Sequence, residues 1–269
     1  MIKFFRKLYT LKDKLKFSPF SVYESLPKIH KKEVSDLFIF KLNDYETQFV
    51  AENSLALLIS DNALCCHHLI FFDTKGQLIC DYKVFTESFH EKINLNKIPE
   101  LKGHSQGSFA HFTKYSKKVK ERYSTYLKNI SFQHRGYTGF RKSNFPGFSF
   151  VHGNFGGLYV NKKLKVSSIS RTRGKFIYTP QIKFQHNHIY ELYFLNPNKK
   201  PIQIKLYKIV LKNHENFATL NLGPMCLSSY SLGIDNQHSD YNICWETNMP
   251  VGRSIVFEEH NDSFNVLHS

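Results

Sequence analysis

Gly139-Phe-Arg-Lys-Ser-Asn-Phe-Pro-Gly-Phe-Ser-Phe-Val-His-Gly-Asn-Phe-Gly-Gly157 is the stretch from which the fold is read. A looser copy closes the chain: Val251-Gly-Arg-Ser-Ile-Val-Phe257, then Phe264-Asn-Val-Leu-His-Ser269. In each, an Arg soon follows a glycine, a polar turn intervenes, and a strand ending in His comes next. The repeated pattern reads as duplication. Two further matches accompany it. His68 to Asp73 lines up with Glu191 to Asn196 at an offset of 123, and His90-Glu91 with His214-Glu215 at 124, close to the 116 that relates Phe148–His152 to Phe264–His268.

Working outward, short apolar runs of strand length recur from Leu37 to Leu42, Leu55 to Ile59, Leu64 to Phe72 and Leu78 to Val84, with turn residues such as Asp61-Asn62 and Asp73-Thr-Lys-Gly76 between them. The second half repeats this texture at Tyr190–Leu195 and Ile202–Val210. With 25 Phe and 15 Tyr, the composition favours pleated surfaces. The expected fold is mostly β: two tandem, related antiparallel β-sandwich-like units behind an N-terminal amphipathic helix. The expected boundaries are residues 1–35 for a basic helix and linker, and 36–160 for unit 1, with a Lys-rich basic insertion at about 98–128. A basic linker follows at 161–178, then unit 2 at 179–269.

The 37 Lys and Arg against 22 Asp and Glu give a formal charge of +15, which favours an anionic partner. The Lys clusters are scattered and no nucleic-acid recognition module is legible, so an acidic glycan, a lipid head group or a protein partner is preferred over nucleic acid. At the N-terminus Phe4, Phe5, Leu8 and Leu11 form an apolar stripe with Arg6 and Lys7 beside it. That arrangement suits insertion into an anionic membrane interface. No apolar run is long enough for a transmembrane helix, and basic residues interrupt any secretory core. Five cysteines, two of them adjacent, suit a reduced setting, so the expected place is the cytoplasm, associated with the inner face of the membrane.

The chemistry-bearing clusters are few. Arg141 and His152 with Asn154, and Arg253 with His268, occupy matching places and suit an anionic ligand through bidentate Arg contacts. Cys65-Cys-His-His68 has zinc-ligand residue types, but alternate residues of a strand face opposite sides and cannot converge on one ion. His186 and His188 would share one strand face, as in cupin-type sites. A cupin-like, divalent-metal-dependent enzyme using them is therefore the alternative to non-enzymatic binding, for which no cofactor is expected. Gly103-His-Ser-Gln-Gly107 fits the bare pattern of a nucleophile elbow without its strand-to-helix context. No phosphate-binding or dinucleotide glycine motif occurs.

Tyr190 to Pro197, the strand Ile202 to Val210, the short strand Tyr241 to Trp245 and the segment Pro250 to Phe257 together resemble the small β-sandwich of the sensory rhodopsin transducer family. The resemblance spans roughly Gln181 to Asn261. It implies a sandwich that assembles into homo-oligomers and attaches to a membrane receptor or another protein.

Overall fold

The computed structural model describes residues 34–124, 133–134, 136–153, 158–160, 166–168, 174–180, 182, 184–185, 187–198, 200–210, 213–233, 242–248, 254–261 and 263–268. The expected N-terminal helix, with Phe4, Phe5, Arg6, Lys7, Leu8 and Leu11, lies outside these residues, as do Asn154, His186 and Arg253. In chain order the strands of the first half are β1 (Val34–Ser35), β2 (Leu37–Lys41), β3 (Tyr45–Glu52), β4 (Cys65–Phe72), β5 (Leu78–Thr86), β6 (His90–Asn94), β7 (Gln106–Tyr115), β8 (Gln133–His134), β9 (Gly136–Lys142) and β10 (Ser149–His152). They are followed by β11 (Leu158–Val160), β12 (Val166–Ser168), β13 (Phe176–Tyr178), β14 (Ile189–Leu195), β15 (Ile202–Val210), β16 (Asn213–Leu222), β17 (Leu227–Gly233), β18 (Asn242–Thr247), β19 (Ile255–His260) and β20 (Ser263–His268). Two short helices, α1 (Ser54–Ile59) and α2 (Lys117–Arg122), complete the elements used below.

The chain is mostly β. Among the described residues the strands form five four-stranded sheets. The first sandwich faces β2-β7-β4-β5 against β10-β9-β3-β6, and the second faces β13-β18-β15-β16 against β20-β19-β14-β17. Counting the eight sandwich strands of each half in chain order, both read 1-6-3-4 over 8-7-2-5. A small side sheet, β12-β11-β1-β8, includes a parallel β1–β8 pair.

Three cores follow from strand periodicity. Phe38, Phe49, Leu69, Phe71 and Phe109 fill the first sandwich, and Tyr190, Leu192, Phe194, Ile204, Leu206 and Trp245 fill the second. The alternate residues of two sheets, Ile39, Ile70, Phe72 and Phe112 on one side and Tyr193, Leu195, Ile255 and Phe257 on the other, build a third core at the seam. Phe257 reaches Phe140 and Tyr45, at ring centroid separations of 4.8 and 5.8 Å. The central strands of the middle sheets are thus buried on both faces. The outer sheets keep the alternation expected of a half-solvated sheet: every second residue of β3, from Glu46 to Glu52, is only partly covered.

At the seam Lys41 pairs with Glu191, and its ammonium sits 4.6, 5.3 and 5.3 Å from the rings of Tyr45, Tyr193 and Phe257. Lys142 pairs with Glu259. Gly76, at φ +75°, packs its α-carbon against the Pro224 carbonyl, where a Cβ would come within 2.3 Å of that oxygen. Beside it the Leu227 amide donates to the Thr74 carbonyl at 3.1 Å.

Several expectations need correction. Leu55 to Ile59 is helical, because the Asn53 carboxamide caps the Ala56 amide and no β-branched residue precedes Ile59. The stretch read as an insertion at 98–128 contains β7, a central strand whose inward row includes the polar His111 and Thr113. The offset of 123 pairs β4 with β14, and that of 124 pairs β6 with β16, which hold different places in the strand order. His68 to Phe72 and Tyr190 to Leu195 read alike because each belongs to a central strand buried on both faces, which leaves a continuous apolar run. The third match does join equivalent strands: β10 and β20 are each the eighth strand of their sandwich. Residues 139–152 of the Gly139–Gly157 stretch belong to the β9–β10 hairpin, in which Phe150 lies across Gly139.

Candidate ligand-binding site

The sequence-derived site residues are only partly brought together. His152 and His268, on the last strands of the two sandwiches, stack at 6.3 Å between ring centroids, and Tyr137 lies 4.4 Å from His152. Ser149 ties these strands, its hydroxyl accepting from the Val266 amide at 2.8 Å. Arg141 does not join them. His152 is opposite Tyr137 at one end of the β9–β10 ladder, while Arg141 lies past the other end, paired with Glu46 and 5.0 Å from the Phe148 ring. Arg141 therefore spends its charge on a carboxylate of its own sheet.

Two histidine clusters stand elsewhere. In the first sandwich Cys65 Sγ lies 3.6 Å from His67 Nε2, and His67 Nδ1 lies 2.9 Å from His111 Nε2. Cys65 and His111 thus meet different nitrogens of one ring, so the three form a file and not a shell around one ion. Burial pushes the His67 pKa down to about 4 and that of the Cys65 thiol up to about 12. On the opposite face of β4, burial lowers the pKa of His68, helped by Lys114 and opposed by Asp81, which lies 3.1 Å away. In the second sandwich His188 Nδ1 donates to Glu258 at 2.8 Å, Tyr190 donates to the same oxygen at 3.0 Å, and His260 stacks on His188 at 4.0 Å. Glu191 points the other way, to Lys41 at the seam.

A concave site lies where sequence reasoning placed none. Between β6 and β7 the chain makes two 3-10 turns, Leu95–Lys97 and Pro99–Leu101. Leu95, Ile98 and Leu101, three residues apart, are the buried side of these turns, as the three-residue period of a 3-10 helix requires. Asn96 fixes the turns to β3, accepting from the Thr47 amide and donating to the Tyr45 carbonyl, both at 2.8 Å. The Leu42 amide donates to the Ser105 carbonyl at 2.7 Å, closing the β2–β3 turn over them. Asn43 holds a left-handed φ of +66° there.

The result is a cavity of about 360 Å³ lined by Leu42, Asn43, Asn96, Lys97, Lys102 and His104 among others, with no carboxylate in its lining. Lys97 and Lys102 are exposed and carry no ion pair among the described residues. Two ammonium groups, two carboxamides and an imidazole around an open cavity are a donor set for an anion. The signal available in the sequence was the three-residue spacing of Leu95, Ile98 and Leu101. The Gly103–Gly107 pentapeptide runs from this turn directly into β7, so it lacks the geometry of a nucleophile elbow.

No family model and no curated protein matches this chain. Among the described residues no helix is long and apolar enough to cross a membrane.

Proposed function

We propose that the protein is a non-enzymatic binding protein that recognises an anionic group, such as that of an acidic glycan or a lipid head group, through Asn43, Asn96, Lys97, Lys102 and His104. The observation that carries this reading is the carboxylate-free, cationic lining of the cavity at the β2–β3 end of the first sandwich. The +15 formal charge supports it by favouring encounter with anions. Titration with a sulfated disaccharide and with an inositol phosphate, followed by calorimetry, tests it. Lys97→Glu with Lys102→Glu should weaken binding at least tenfold while leaving the melting temperature in place. Unchanged binding sinks the assignment.

The common strand order of the two sandwiches, and the equivalent positions of β10 and β20, support descent from one duplicated unit. A second functional reading, metal binding through His188, rests on its contact with Glu258 and its stacking on His260, because a carboxylate on Nδ1 leaves Nε2 as a lone-pair donor. Stoichiometric metal in purified protein, lost in His188→Ala, would favour that reading over binding alone.

A further inference from the structure

At the end of the first sandwich opposite the cavity, several large apolar side chains face solvent together. The chain crosses this end at α1, at the approach to β4, at the β5–β6 turn and at α2. Leu57 and Leu58 are 41% and 47% exposed, Leu64 43%, Phe85 71% and Phe89 40%. They are neighbours in the fold. The Asn53 amide, just before α1, donates to the Phe89 carbonyl at 2.9 Å, and Phe85 pairs across the ladder with Cys66, two residues after Leu64.

The helix α1 explains why Leu57 and Leu58 are out. Its inward side is already filled by Leu55, Ala56 and Ile59, packed with Ala63, Cys65, Tyr115 and Val119. A helix facing only water would carry polar residues at positions 57 and 58. Here α1 has no charged residue at all.

The helix α2, packed beside α1 through Val119 and Tyr123, supplies the charge. It exposes Lys117, Lys118, Lys120 and Arg122 and buries no residue of its own. Glu121 of α2 itself is engaged by Lys117 at 3.7 Å and Asp61 by Arg122 at 3.6 Å; with four basic residues against one acidic one, α2 is net positive. Lys114, on the strand leading into α2, pairs in register with Cys66. Glu52, Glu87 and Glu91 are at this end too, at the close of β3, in the β5–β6 turn and on β6, so the positive charge is concentrated on α2 itself.

We propose that this end is a docking surface for an anionic lipid membrane, with Leu57, Leu58, Leu64 and Phe85 entering the interface and Lys117, Lys118, Lys120 and Arg122 meeting the head groups. Protruding apolar tips beside a cluster of Lys and Arg match the two components of interfacial binding: buried apolar area and attraction to anionic lipid. The cavity at the other end then faces away from the membrane, so this proposal does not rest on the anion-binding reading.

The test is flotation of the full chain with vesicles of phosphatidylcholine alone or with 30% phosphatidylserine, as an order-of-magnitude anionic content. The wild type should bind the anionic vesicles at least tenfold more strongly than the neutral ones. Leu57→Ser with Leu58→Ser and Phe85→Ser should reduce that binding at least tenfold, and Lys118→Glu with Lys120→Glu should abolish the preference for anionic lipid. Because all these positions are exposed, the variants should keep the wild-type melting temperature, which is measured alongside. Lys97→Glu with Lys102→Glu, at the cavity, should leave flotation unchanged, as should deletion of residues 1–17. Three results overturn the proposal: no binding of the wild type to anionic vesicles, undiminished binding of the Leu57/Leu58/Phe85 variant, or vesicle binding that depends on residues 1–17 or on the cavity instead. Concentration-dependent self-association of the wild type, relieved by the Leu57/Leu58/Phe85 variant, would also overturn it, by assigning the patch to a protein contact.

Discussion

On β4 and β7 of the first sandwich the inward rows include Cys65, His67, His111 and Thr113. On β15 and β18, which hold the same places in the second sandwich, they are Ile202, Ile204 and Leu206 with Ile243, Trp245 and Thr247. One strand order therefore accepts two fillings. The order needs alternate residues to point inward, and it is indifferent to whether one end of the row is apolar or a set of polar groups in contact with one another. The fillings differ in what they cost. A Trp in a packed core contributes through area and contact, whereas buried imidazoles must stay neutral. The first sandwich should accordingly carry the pH sensitivity and the second the larger packing contribution.

The sharpest way to break that contrast is Trp245→Ala. Trp245 is fully buried, 5.4 Å from the Phe194 ring and 6.3 Å from that of Tyr178. Removing it should cost about 3–5 kcal/mol in urea unfolding. An equal loss in His111→Ala would mean that the two interiors are energetically alike.

Acidification should act on the other side of the comparison. The His67 pKa is held near 4 when folded, against an ordinary value of 6.5, so the unfolded chain binds the extra proton between these limits. Stability from this residue is complete above pH 6.5 and declines as pH falls toward 4, by about 3 kcal/mol in all. Urea midpoints measured from pH 7.5 to 4.5 should show the decline, and His67→Gln should flatten it by roughly one proton. The lowered pKa of His68 acts in the same direction.

The smallest effect concerns how tightly the two sandwiches are joined. Lys41→Met removes the ammonium from between Glu191 and the rings of Tyr45, Tyr193 and Phe257. It should cost about 1 kcal/mol, measured with Glu191→Gln in a double-mutant cycle. The apolar seam should still hold both sandwiches in one unfolding transition. Two transitions would show that this ion pair, more than the apolar seam, couples them.

The β-rich class was legible because Leu64 to Phe72, Tyr190 to Leu195 and Ile202 to Val210 carry strand-length apolar or alternating patterns bounded by turn residues. β7 was missed for a complementary reason. His111 and Thr113 are buried there with hydrogen bonds and Ser108 by tertiary packing, which residue types do not announce. Of the candidate site, the sequence matched His152 with His268 by pattern but left their stacking to the fold, and it separated Lys97, Lys102 and His104 from the turn at Asn43 by over fifty positions. Only the closing of β2 onto β7, in register from Leu37 with Ala110 to Lys41 with Gln106, brings that turn to them.

By itself, then, the sequence determined a strand-rich chain of basic charge, with a pattern at Phe148–His152 that returns at Phe264–His268. Local alternation and composition are properties of neighbours along the chain, so they survive without a fold. The tertiary structure decided which strands are covered on both faces, that Arg141 is committed to Glu46 and not to His152, and where cationic and apolar side chains gather at opposite ends of the first sandwich. Each of these depends on contacts between residues far apart in sequence, and such contacts are set by how sheets pack, not by the residues in any one strand.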